Sequence, residues 1–133
     1  MQYGEKSIFS GLRLLPMLLV MAGIFWLSHQ PAVQMDLPNF FLADKLAHAI
    51  LYGILALSII FVPSPRRRAH AAGSLAAVAV VVSILYGIGD EFHQSFVPGR
   101  DPSVADLMAD GCGAAVAALF WWWRCRHSPT AGY

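Results

Sequence analysis

Four apolar runs, at 11–28, 45–62, 69–89 and 103–123, occupy most of the 133 residues and leave only short links between them. At 1.5 Å rise per residue each run reaches about 27 to 32 Å as a helix, the thickness of a bilayer's hydrocarbon core. Lipid offers no partner for a backbone amide, so each run is expected to satisfy its own hydrogen bonds as a helix. Composition agrees, because 57% of residues are hydrophobic and 13% charged, where a soluble domain carries about a quarter charged residues. The expected fold is all-α, an integral membrane four-helix bundle forming a single domain over residues 1–133, without linker, repeat or low-complexity tract.

The first run differs from a cleaved secretory signal: Glu5 precedes it, and His29, Gln30 and Pro31 follow it in place of a small-x-small cleavage site. It is expected to be retained. Cys112 and Cys125 fall on one predicted helix, separated along its axis by about 20 Å, which is beyond disulfide reach. Cys112 reads as a small packing residue.

Charge sorts by end. The amino terminus, the Arg66 to Arg68 hairpin and the tail after Trp123 hold seven cations against Glu5, a balance of +6. The opposite links and helix ends hold Lys45 and Arg100 against Asp36, Asp44, Asp90, Glu91, Asp101, Asp106 and Asp110, a balance of −5. Lysine and arginine in short loops stay on the cytoplasmic side. Both termini are therefore expected to be cytoplasmic, with the acid-rich end outward. Trp121 to Trp123 before Arg124 reads as the inner aromatic belt, and Trp26, Phe40 and Phe41 as the outer one.

Helical spacing decides which outer residues share a face, because positions three or four apart are neighbours. Asp44, His48 and Tyr52 form one stripe, with Lys45 beside His48. Tyr86, Asp90 and either His93 or Gln94 form a second, with Glu91 adjacent. Asp106 and Asp110 form a third that continues into Gly113. Burying an ionisable group in a bilayer costs at least about 2.5 to 3.5 kcal/mol, so such groups point to a functional site. His48, Asp90, Glu91 and Asp106 are the candidate catalytic residues. Lys45, Tyr52, Tyr86, Gln94, Arg100 and Asp110 are the candidate ligand-binding residues.

Plainer roles compete for several of these positions. Asp44 precedes an apolar run and suits an N-cap. Ser103 and Asp106 fit a capping box at the start of the last helix, which leaves Asp110, one turn deeper, unexplained. His48 suits an interhelical hydrogen bond, and Arg100, after the Pro98-Gly99 turn, suits a counterion for Asp90 or Glu91. Ala109, Gly113 and Ala117 form a close-packing stripe.

Taken together, these positions resemble the VanZ-like family of small membrane proteins. Two segments carry the resemblance: Asp44-Lys45-x-x-His48-x-x-x-Tyr52-x-x-Leu55, and Tyr86-x-x-x-Asp90-Glu91-x-x-Gln94-x-Phe96-x-Pro98-Gly99-Arg100-x-x-x-x-x-Asp106. A small-residue helix with Gly111 and Gly113 follows. The family pattern on the last helix is an Asp followed four residues later by Asn. Here that position is Asp110, one carboxylate richer. The resemblance implies a membrane location and an outer polar site, and the family's name links it to resistance to the glycopeptide teicoplanin.

Three functions fit. The first is a protein that binds or modulates a cell-envelope component, with Arg100 as a planar fork for a carboxylate or phosphate. The second is a membrane-embedded enzyme on a lipid-linked or peptidoglycan substrate, its carboxylates split into acid and base. It would act without any Ser-His-Asp, His-Glu-x-x-His or Gly-rich phosphate motif. The third, proton-coupled transport, meets inner helix halves almost devoid of charge. The cofactor is unassigned: an oxygen-rich cluster suits magnesium, calcium or manganese, and His48 or His93 would shift it toward zinc. The expected partners are the lipid bilayer and a lipid or cell-wall-precursor headgroup, with a homo-oligomer open and no nucleic acid.

Overall fold

A computed structural model describes residues 11–31 and 41–127, with the side chain of Phe41 excepted. Asp36 and Phe40, and Glu5 and Lys6 at the amino terminus, lie outside the described residues. Within them the chain is all helix: α1 (Leu15–Ser28), α2 (Phe41–Phe61), α3 (Pro65–His70), α4 (Ala72–Gln94) and α5 (Val104–His127). Three of these, α2, α4 and α5, are long and apolar enough to cross a membrane. The described α1 has 14 residues, about 21 Å at helical rise, and is apolar but shorter than those spans.

The helices alternate in direction. Ser28, Lys45, Glu91 and Asp106 meet at one end, while Gly73 at the start of α4 faces Trp122 near the end of α5 at the other. The most extensive interface joins α2 to α5, followed by α4 with α5 and α2 with α4; α1 leans on α2 and α4. The interior is built from small residues, Ala56, Ala76, Ala79, Ala114 and Ala118 with Ile60. Large apolar side chains such as Leu19, Leu42, Leu85 and Phe92 point outward. That inversion suits lipid, where helices associate through close backbone contact because the solvent is itself apolar.

Gly113 carries the closest approach. A Cβ at this position would enter the backbone of Ala49 on α2, and one at Gly53 would lie 3.2 Å from the Gly113 carbonyl oxygen. Gly113 and Ala117 of the expected stripe thus pack against Ala49 and Gly53, and at the same interface His48 is brought to Asp110.

The hairpin expected at Arg66 to Arg68 is the short helix α3, begun by Ser64, whose side chain accepts from the Arg67 amide, and by Pro65 at its first position. Ala71, at φ −122° and ψ 29°, separates α3 from α4. Arg68 stacks over Phe61 at 4.7 Å and Arg126 over Trp122 at 4.8 Å, so the basic end carries cation–π pairs. At the other end α4 runs on to Gln94, past the Gly89 at which its apolar run stops, because Asp90, Glu91 and Gln94 find partners inside the bundle. Gly99, at φ 77°, follows Pro98, and the Arg100 amide donates to the Val97 carbonyl at 3.1 Å. Pro then Gly in the two central positions, with this closing bond, is the chemistry of a type II turn. It returns the chain to α5 and aims Arg100 at α1.

Candidate functional site

Three helix ends build the site. On α2, Asp44 and Lys45 lie in the first turns and His48 one turn deeper. Lys45 Nζ donates to Asp44 Oδ2 at 2.9 Å and to Asp106 Oδ1 on α5. His48 Nδ1 lies 2.9 Å from Asp110 Oδ1, and its ring stacks on Tyr52 with centroids 6.3 Å apart and planes 6° from parallel. The Asp44, His48, Tyr52 stripe of the sequence is therefore a real face, turned toward α5. Asp44 is a partner of Lys45 inside the helix, not its cap.

Asp106 and Ser103 depart from the capping box. The Ser103 amide donates to Glu91 Oε2 on α4 at 2.7 Å, which is the role the box would assign to Asp106. Relieved of that role, Asp106 takes Lys45. One hydrogen bond from the Ser103 amide thus fastens the start of α5 to the end of α4 and leaves the buried Asp106 carboxylate to the site.

Asp90 and Glu91 are adjacent in sequence yet serve different neighbours, because successive residues on a helix point about 100° apart. Asp90 Oδ2 accepts from Ser28 Oγ at 2.8 Å and from Gln94 Nε2 at 3.1 Å, so it faces α1. Glu91 faces α5. Of the two residues that spacing allowed in the Asp90 stripe, Gln94 joins it. His93 turns instead to Phe25 and to His29, whose Nδ1 is 3.3 Å from His93 Nε2.

Tyr86 and Arg100 hold α1. The Tyr86 hydroxyl donates to the Met21 carbonyl at 2.7 Å. Arg100 donates from Nε to the Gln30 carbonyl and from Nη2 to the Leu27 carbonyl, each at 3.3 Å. A cation placed at the final carbonyls of a helix also complements its dipole. Spacing within one segment pointed to neither these carbonyls nor Ser28, because α1 has no other buried polar residue to form a stripe with.

Four buried side-chain atoms of the described residues lack a hydrogen-bond partner: Tyr52 Oη, Ser83 Oγ, Glu91 Oε1 and Asp110 Oδ2. Asp110 and Ser83 are 0% exposed and Tyr52 1%. Gly87 makes room for Asp110, since a Cβ there would stand 2.8 Å from Oδ2. Two sets of donor atoms lie within 4.8 Å of one another, Asp44 with His48 and Asp106, and His48 with Glu91 and Asp110. Both sets share His48, which is the pivot of the arrangement.

The VanZ/LLP1 family model matches residues 12–125, a span that contains every helix and every residue of this site except the last positions of α5. The chain belongs to the VanZ/LLP1 family. Comparison with curated proteins and with solved structures returns no match. Family membership and three membrane-capable helices together make this VanZ/LLP1 chain a membrane protein. In this family member Lys45 meets Asp106 and His48 meets Asp110, Glu91 stands within 4.8 Å of His48 and Asp110, and Asp90, Gln94, Tyr86 and Arg100 hold α1 beside them.

Proposed function

We propose that this VanZ/LLP1 membrane protein folds as one domain with both termini cytoplasmic and binds or modulates a cell-envelope component at an outward polar site, with a role in the response to glycopeptides such as teicoplanin. Orientation rests on the sorting of charge: α3 and the end of α5 carry Arg66, Arg67, Arg68, Arg124 and Arg126, at the end remote from the acids. The single observation that carries the binding role is the cluster around His48, in which buried carboxylate oxygens remain without donors. Acceptors dominate it. Arg100 spends Nε and Nη2 on α1 carbonyls, so a headgroup bearing an ammonium or several hydroxyls fits better than one bearing a phosphate.

The test is equilibrium binding of a lipid-linked cell-wall precursor, and separately of teicoplanin, to the full chain in nanodiscs, with His48→Ala and Asp106→Asn alongside. Saturable binding weakened about tenfold or more in both variants is expected. Absence of binding, together with unchanged teicoplanin susceptibility of cells expressing the protein, would remove the proposal. The His48–Asp110 pair favours a second reading, acid/base catalysis, because a buried carboxylate that orients an imidazole is how a general base is held in place. Product in excess of protein stoichiometry separates catalysis from binding.

A further inference from the structure

The buried acceptors around His48 are not used equally. Asp44 and Asp106 share the Lys45 ammonium, so the set they form with His48 already holds a cation supplied by the chain. Glu91 and Asp110 differ. Glu91, 8% exposed, keeps Oε1 without a donor, and Asp110, 0% exposed, keeps Oδ2 without one. A buried acceptor in this state has lost its hydration with nothing in exchange. The two side chains come from different helices, α4 and α5, and His48 of α2 stands between them with its donor atom within 4.8 Å of each.

We propose that His48, Glu91 and Asp110 form a binding site for one divalent cation of the zinc or manganese kind. An imidazole nitrogen with two carboxylate oxygens is a donor set these metals accept. Two carboxylates and a neutral imidazole also balance a double positive charge. Ligand atoms about 2.0 to 2.2 Å from a tetrahedrally held metal stand about 3.3 to 3.6 Å from one another, so small side-chain rotations close the set around the cation. Gly87, which carries no side chain, lets the Asp110 carboxylate take this position, since a Cβ there would stand 2.8 Å from Oδ2. Three protein ligands leave a coordination position open, available to an oxygen of the envelope component. The inference rests on the reading of this cluster as a ligand site and names the group that would grip the ligand.

The full chain, purified in detergent and stripped with a chelator, is titrated with Zn²⁺ or Mn²⁺ alone by calorimetry and with Co²⁺ by visible absorption. One cation per chain is expected, with Co²⁺ showing the ligand-field bands of a low-coordinate site. His48→Ala, Glu91→Gln and Asp110→Asn should each raise Kd at least about 100-fold, Gly87→Ala should raise it as well, and the exposed Asp101→Asn should leave it unchanged. Because a ligand variant can fail to fold, the wild type supplies an independent readout: saturating Zn²⁺ should raise its unfolding midpoint. No saturable binding by the wild type, or affinities unaltered in well-folded ligand variants, overturns the site. Cation binding without headgroup binding upholds the metal and removes the headgroup reading, and the reverse result does the opposite.

Discussion

Replacing three glycines with alanine should separate backbone contact from helix propensity. In a helix interior Gly→Ala gains roughly 0.5 to 1 kcal/mol from propensity alone. At Gly111 the added Cβ would meet Ile84 Cγ1 at 3.6 Å, an ordinary contact, so Gly111→Ala should be neutral or stabilise by up to about 1 kcal/mol. At Gly53 the nearest atom is the Gly113 carbonyl oxygen at 3.2 Å, and the small shift needed should roughly cancel the gain. At Gly113 the Cβ would enter the Ala49 backbone, which has no rotamer to change. Overpacking of this kind costs about 1 to 3 kcal/mol. Separation of α2 from α5 also loosens the His48–Asp110 contact across the same interface, and hydrogen bonds to charged groups are worth about 1.5 to 3 kcal/mol. After the propensity gain, Gly113→Ala should lose roughly 1.5 to 5.5 kcal/mol. Reversible unfolding in mixed micelles with increasing sodium dodecyl sulfate reads the order directly. If Gly113→Ala unfolds at the same surfactant fraction as Gly111→Ala, the α2–α5 packing described above is wrong.

Further expectations concern the charges and the topology. Lys45→Met leaves Asp106 buried without its cation and should destabilise by about 3 kcal/mol, Asp106→Leu leaves Lys45 to Asp44 and should cost less, and the double variant should recover part of the Lys45→Met loss; unfolding measurements on the four proteins give the coupling energy, and simple additivity would deny the ion pair. Arg100→Lys keeps the charge but cannot span the Leu27 and Gln30 carbonyls as the fork does, so it should cost about 0.5 to 1.5 kcal/mol and speed proteolysis near the end of α1; unchanged cleavage would mean that α1 is held by other contacts. A reporter fused after Tyr133 should behave as cytoplasmic and one inserted between Val33 and Leu37 as exported, and an exported carboxy terminus would turn the acid-rich end inward.

Three of the four expected membrane helices, α2, α4 and α5, were legible as membrane-capable helices in the sequence because a bilayer imposes one length and one hydrogen-bonding solution on any apolar run, whereas the described α1 is shorter than such a span. Their polar stripes were legible too, since Asp44, His48 and Tyr52, or Asp106 and Asp110, share a face through helical spacing alone. The start of α4 was not legible: the break at Ala71 follows no glycine or proline, and the apolar pattern runs through it. Nor was its end, since the pattern stops at Gly89 while the helix continues through polar residues that satisfy one another only in the folded bundle. Spacing ranks neighbours along one helix and is silent about which helix stands opposite. That choice came from the small residues at Ala49, Gly53 and Gly113, whose backbones approach closely enough to set His48 against Asp110. It came also from the 100° turn between Asp90 and Glu91, which sends one carboxylate to Ser28 on α1 and the other to the Ser103 amide at the start of α5. Only once Glu91 had taken that amide was Asp106 available to Lys45, so the partner of each acid was decided by tertiary packing, where a local motif had suggested a cap.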